Sequence, residues 1–117
     1  MKLRDTQILD HIIEYCTDIE ETLIKYGDSF ESFSSDKGYQ YILSFCIIQI
    51  GELVNTLSSD LRSETVQEIN WREIKGMRNI VVHNYRSINR QILWDTVHED
   101  IPLLKAFCEK HLYRPGD

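Results

Sequence analysis

An all-α fold, a bundle of four main helices, is the architecture this sequence predicts, and three observations carry the prediction. Apolar residues recur at spacings of three and four along most of the chain, the period of a helix with one face in a core. The apolar stretches are bounded by residues that start and stop helices, such as Asn70 before Trp71 and Gly27 after Tyr26. No segment alternates with the strand period, and no internal repeat or low-complexity tract is present.

The first helix is expected from Asp5 or Thr6, either of which can cap it, to about Tyr26, with Gly27 as its stop. Ile8, Ile12, Tyr15, Ile19, Leu23 and Tyr26 form its inner face, and Asp10, Glu14, Asp18 and Glu21 its outer one, where His11 is solvated. Asp28 to Gly38 reads as a polar loop broken by Phe30 and Phe33, whose rings tuck back onto the core. The second helix, about Lys37 to Leu57, is the hydrophobic centre, with a full stripe of Tyr39, Leu43, Cys46, Ile50, Leu53 and Leu57. A second stripe, Tyr41, Phe45, Ile48 and Glu52, points roughly the other way. A helix apolar on two sides must be covered on two sides, and in so small a bundle the second cover is expected to be another copy, a homodimer. Glu52, on that second stripe, calls for a partner such as an arginine.

Ser58-Ser59-Asp60 closes the second helix, and a polar linker leads to Asn70, the expected N-cap of a third helix running from Trp71 to about Asn84. The last helix begins near Ile88 and Asn89 and packs through Leu93, Val97, Ile101, Leu104 and Cys108. Pro102 removes a backbone donor within it and is expected to kink it. After Leu112 the tail is expected to fray.

The chain has 117 residues, the length of one domain, 1–117, with 42% hydrophobic and 27% charged residues, the balance of an ordinary soluble protein. The N-terminus runs straight into a polar amphipathic pattern without a secretory signal, and no uncharged apolar run reaches the roughly 18 residues that span a bilayer. Cys16, Cys46 and Cys108 lie in apolar helical patterns without metal-type spacing, as buried thiols of a reducing cytoplasm would. Net charge is −6, which opposes nucleic-acid binding by the body as a whole. The charge is uneven, however. Residues 1–70 hold five Lys and Arg against thirteen Asp and Glu, whereas Arg72, Lys75, Arg78, Arg86 and Arg90 face only Glu73 between residues 71 and 90. A basic patch on an acidic body suits a phosphate-bearing ligand met at one place, and equally a solvated helix flank.

Within that patch, Trp71, Ile74, Met77, Val81 and Val82 make an apolar stripe with Arg78 in its middle and Tyr85 two turns further on. An arginine on a core-facing line is costly unless paired. His83 lies about 140° round the helix from Arg78 and close to Asn79. No Gly-rich loop, nucleophile elbow, Cys/His metal spacing or close carboxylate pair is present, so no metal or cofactor is expected. The titratable candidates reduce to His83, Arg78, Glu52 and Tyr85. Histidine moves protons near neutral pH and arginine holds phosphate with a planar fork, which together suffice for RNA cleavage by a 2′-hydroxyl. On one helix the two do not converge on one phosphate, but two copies facing each other can build a composite site. The plainer readings stand beside this one: His83 as a capping or solvated residue, Arg78 as an interface arginine paired with Glu52, and Tyr85 as an interface or core aromatic.

The pattern R-x4-H-x-Y entered through W-x-x-I-x-x-M-R-N resembles the motif of the HEPN superfamily. With Ile50-Gly51-Glu52 before it and Trp94-Asp95-Thr96-Val97-x-Glu99-Asp100-Ile101-Pro102 after it, the chain is similar to the HepT toxins of toxin–antitoxin pairs. The resemblance implies a homodimeric, metal-independent endoribonuclease toxin of a type VII-like system, with Arg78 and His83 as catalytic pair and Asn79 and Glu52 in support. It further implies a minimal nucleotidyltransferase antitoxin of the MntA type, which transfers AMP to the motif tyrosine, here Tyr85. Asn84 stands where the family often has glycine, and Asn tolerates a similar backbone conformation. The competing reading is a non-catalytic nucleotide- or substrate-binding subunit of a two-component nucleotidyltransferase, with Arg78 gripping a phosphate.

Overall fold

The computed structural model describes residues 1–82 and 89–112, the side chains of 80–82 excepted. Its order is α1 (Leu3–Tyr26), α2 (Phe30–Ser34), α3 (Lys37–Thr56), α4 (Ser59–Glu64), α5 (Trp71–Val82) and α6 (Arg90–Leu112). Four long helices form the bundle, as the periodicity predicts, and no strand occurs among the described residues.

The third element, α3, is the axis of the bundle and packs against α1, α5 and α6. Tyr39, Leu43, Ile47, Ile50 and Val54 on its inner side are fully buried. Each buried aliphatic side chain of this size contributes about 1.5–3 kcal/mol relative to exposure. Gly27 ends α1 with φ +99°, a left-handed conformation that glycine adopts without strain, and its N–H donates to the Leu23 carbonyl at 3.0 Å. Tyr39 seals that corner: its hydroxyl donates to the Gly27 carbonyl at 3.0 Å, and burial together with Asp28 pushes its pKa up to about 12.

Two linkers read as polar loops hold short helices instead. In the first, α2 buries Phe33 against Trp94 at 5.1 Å between ring centroids while Phe30 stays partly exposed, so one of the two rings tucks in fully. In the second, α4 buries Leu61, and Thr65 just beyond it is buried too. Asp5 does not cap α1, whose N-cap is Lys2. The Asp5 carboxylate is buried and accepts from the Ser58 backbone N–H at 2.9 Å and from the Ser58 hydroxyl, while the same Ser58 oxygen accepts from the Leu61 N–H at the start of α4. A carboxylate at the chain's beginning thus orders a helix start 53 residues on, and its hydrogen bonds offset its loss of water. Pro102 stands within α6 without ending it.

The three cysteines are buried and free. Burial pushes the thiol of Cys16 up to about 12 and that of Cys46 to about 11, and raises that of Cys108 further still. Among the described residues no helix is long and apolar enough to cross a membrane.

Candidate active site

The helix that carries the first part of the motif, α5, is fixed at its start by three contacts. The Asn70 side chain accepts from the Glu73 N–H at 3.1 Å, the expected cap. Trp71 is buried edge-on against Phe107 of α6 at 5.1 Å, and its indole N–H donates to the buried Thr65 hydroxyl at 2.9 Å. Ile74 and Met77 continue the buried line. The sequence stripe is therefore present as far as the described side chains extend.

Arg78 comes next on that line, but it stands at the rim of the core. Its side chain is 39% exposed, because α5 there crosses α3 at Gly51 and Glu52, where the outer face of α3 begins. Gly51 is buried, and a Cβ built on it would lie 2.7 Å from Arg78 Cβ. Only a glycine permits so close an approach. The next residue, Glu52, brings Oε1 to 2.7 Å from Arg78 Nε. Nε is itself buried and has no aligned hydrogen-bond acceptor, so the contact is one of charge at short range. The expected pairing of Arg78 with Glu52 is thus present, and the closest approach is made by Nε, not by the two terminal nitrogens of the fork.

Asn79 is exposed, one residue along from Arg78. Arg72 and Lys75 are exposed on the outer side of α5, and neither forms an ion pair among the described residues. His83 and Tyr85 lie outside the described residues. The structure therefore brings Arg78 and Glu52 together, places Asn79 beside them, and leaves the second half of the motif unassigned in space. Downstream, Asn89 accepts from the Ile92 N–H at 3.1 Å as α6 begins, and the Arg90 guanidinium donates to the Ser34 carbonyl at 3.0 Å. Asparagine side chains thus cap the helices on both sides of the motif. Among the described residues no group of three or more His, Cys, Asp or Glu is arranged to hold a metal ion.

The sequence reading missed what Gly51 does. Its signal was available: a residue without a side chain, directly before the acidic partner, in a helix of large apolar residues. It also missed Glu68, which meets Lys110 at 2.6 Å and His111 at 3.0 Å and ties the segment before α5 to the end of α6.

The sequence that builds this site has relatives among known proteins. Residues 11–111 match the family model described as Ribonuclease HepT-like. A protein of Thermococcus cleftensis named "Probable ribonuclease HepT" is 36% identical over 94% of this chain and 97% of its own. In Caldanaerobacter subterraneus subsp. tengcongensis a "Putative RNase" is 34% identical over 91% of this chain and 92% of its own. Another "Putative RNase", of Methanocaldococcus jannaschii, is 32% identical over 94% and 89%. No solved structure matches the chain at a significant level. The family match spans the core stripe of α3, the Gly51–Arg78 crossing and the whole of α5 and nearly all of α6, and this chain belongs to the HepT-like ribonuclease family.

Proposed function

We propose that this ribonuclease is the toxin of a toxin–antitoxin pair and cuts RNA as a homodimer, without a metal, through Arg78 and His83. The observation that carries the reading is the Arg78–Glu52 pair. Glu52 engages the inner nitrogen of the guanidinium, which fixes the side chain while the terminal nitrogens remain the natural fork for a second anion. An RNA phosphate is that anion. The 2′-hydroxyl attacks the adjacent phosphorus, losing its proton as the bond to the 5′-oxygen breaks, and the leaving oxygen takes up a proton. His83 serves these transfers as general acid/base, and Arg78 offsets the charge gathering on the phosphoryl oxygens. Asn79, exposed beside Arg78, orients the site.

Neutralisation follows from Tyr85, two residues beyond His83. A nucleotidyltransferase antitoxin directs the tyrosine oxygen onto the α-phosphorus of ATP. A tyrosyl–AMP bond forms, pyrophosphate leaves and the phenolic proton passes to solvent. The added phosphodiester and nucleoside then fill the space an RNA strand needs and cancel positive charge there.

Growth after induction without any partner gene tests this reading. Wild-type protein should arrest growth and His83→Ala should not, with purified wild-type protein cutting cellular RNA. Intact RNA after incubation with soluble, dimeric, AMP-free wild type would sink the proposal in favour of a nucleotide-binding subunit.

A further inference from the structure

We infer that the outer flank of α5, built from Arg72, Lys75 and the open backbone at Gly76, is the track along which the RNA strand lies as it approaches Arg78. The inference rests on the ribonuclease reading and extends it to residues outside the motif.

Placement comes first. At about 100° per residue, Arg72, Lys75 and Asn79 fall within an arc of about 60° that begins about 60° round from Arg78. All three are exposed. Gly76 borders the same arc, and a Cβ added to it would meet nothing within 4 Å, in contrast to the crowded Gly51 on α3. No described element covers this flank.

Charge is the second observation. The other described cations of α5 and α6 all have partners: Arg78 with Glu52, Arg90 with the Ser34 carbonyl, Lys105 with Glu20 and Lys110 with Glu68. Arg72 and Lys75 form no ion pair among the described residues. Of the nearby carboxylates, one points off the arc and the other is held by cations. Glu73, the acid of α5, points about 100° beyond Arg72, away from this arc and towards Asp100 of α6, whose carboxyl its charge helps to raise. Glu68, which shares a surface hollow with Arg72, is held by Lys110 and His111. On a body of net charge −6, two exposed cations with no ion pair among the described residues, on the helix that carries Arg78, give a polyanion local attraction beside the site.

The occupant is a single strand of RNA, held by its phosphates. A row of cations that tracks the backbone beside a cleavage site is the electrostatic form such binding takes, and it reads no base sequence.

The test measures binding of a fluorescently labelled single-stranded RNA to His83→Ala protein, and cleavage by otherwise wild-type protein, across a range of salt. Arg72→Gln with Lys75→Gln should weaken binding at least about tenfold at low salt and reduce the salt slope by about 1.4, two phosphates at about 0.7 each for a single strand. Cleavage should show a raised KM with kcat largely retained. Gly76→Lys, which adds a cation in open space and improves helix propensity, should bind more tightly with a steeper salt slope. Lys37→Gln, at the exposed start of α3, should change neither. Unchanged affinity and slope in the double variant, with wild type cutting normally, would overturn the track and leave the ribonuclease reading intact. Loss of antitoxin association with RNA affinity unchanged would overturn it in favour of a protein-docking face. Wild type that neither binds nor cuts RNA removes both readings.

Discussion

Two glycines of this chain show how one residue type answers to opposite constraints. At Gly51 an added methyl group would stand 2.7 Å from Arg78 Cβ, with Arg78 Cα 3.5 Å away, so α3 and α5 would have to part. At Gly76 the same methyl group meets open space. Helix propensity favours alanine at both by about 1 kcal/mol. Gly76→Ala should therefore raise stability by about 0.5–1 kcal/mol in urea unfolding. Gly51→Ala should lower it by about 1–3 kcal/mol through overpacking, and should cost RNA cleavage more than it costs helix content, because it displaces Arg78 from Glu52. Equal stabilisation by both substitutions would show that the crossing can relax and that Gly51 does not position the arginine. From the sequence the partnership of Arg78 with Glu52 was legible, because a charge on an apolar line demands an opposite charge. Its location at the rim of the core was not, since a helical projection gives direction but not depth.

Among elements, the long helices were legible because each is long enough for its period to repeat. The limits expected from Tyr26–Gly27, Lys37 and Asn70–Trp71 coincide with those observed. The five-residue α2 and six-residue α4 hold too few turns for a period to show, and their capping serines read equally well as loop residues. Asp5 was misread for a related reason: an acid near a helix start looks like a local cap, and its partner Ser58 lies 53 residues away. The contact of α5 with α6 was also hidden. There the Asp100 carboxyl is raised above its ordinary value by burial first, then by repulsion from Glu73, by a hydrogen bond with Glu73 and by Glu99. A raised carboxyl binds its proton more readily folded than unfolded, so this pair adds stability as pH falls towards the unfolded value of 3.8 and loses it as pH rises through the folded one. Glu68 acts in the opposite sense. Hydrogen bonds from Lys110 and His111 hold it below 4.5, so its contribution is present above that value and lost in acid. Asp100→Asn keeps a hydrogen-bond donor towards Glu73 and removes the repulsion. It should stabilise the protein at pH 7 by about 0.5 kcal/mol, seen as a melting temperature higher by about 2 °C, with the advantage vanishing near pH 4. A variant less stable than wild type at pH 7 would mean that the carboxylate has a favourable role that its raised pKa conceals.

For the whole molecule, the question is what covers the outer face of α3. The inner face is closed by α1, α5 and α6, yet Tyr41 and Phe45 on the outer stripe remain 51% and 54% exposed. Phe45 has an edge-on contact with Tyr15 of α1 at 6.2 Å, which holds its ring in place without burying it. This second stripe could be read from its spacing alone, and it continues through Ile48 to Glu52, the partner of Arg78. A second copy docked on the stripe would therefore approach the Arg78–Glu52 pair itself, and by two-fold symmetry would bring its own pair to the same seam. Such a seam would suit the composite site proposed above, in which each copy gives part of the machinery that cuts RNA. Phe45→Glu places a charge at the centre of the stripe, where a dimer would have to bury it unpaired at a cost of several kcal/mol. Because Phe45 is half exposed in the single chain, the same change should leave helix content nearly intact. Sedimentation should then report a dimer for wild type and a folded monomer for Phe45→Glu, and cleavage by the variant should fall at least about a hundredfold, as loss of a general acid/base partner does. A variant that stays dimeric, or a monomer that cuts RNA at the wild-type rate, would place the complete site within one chain.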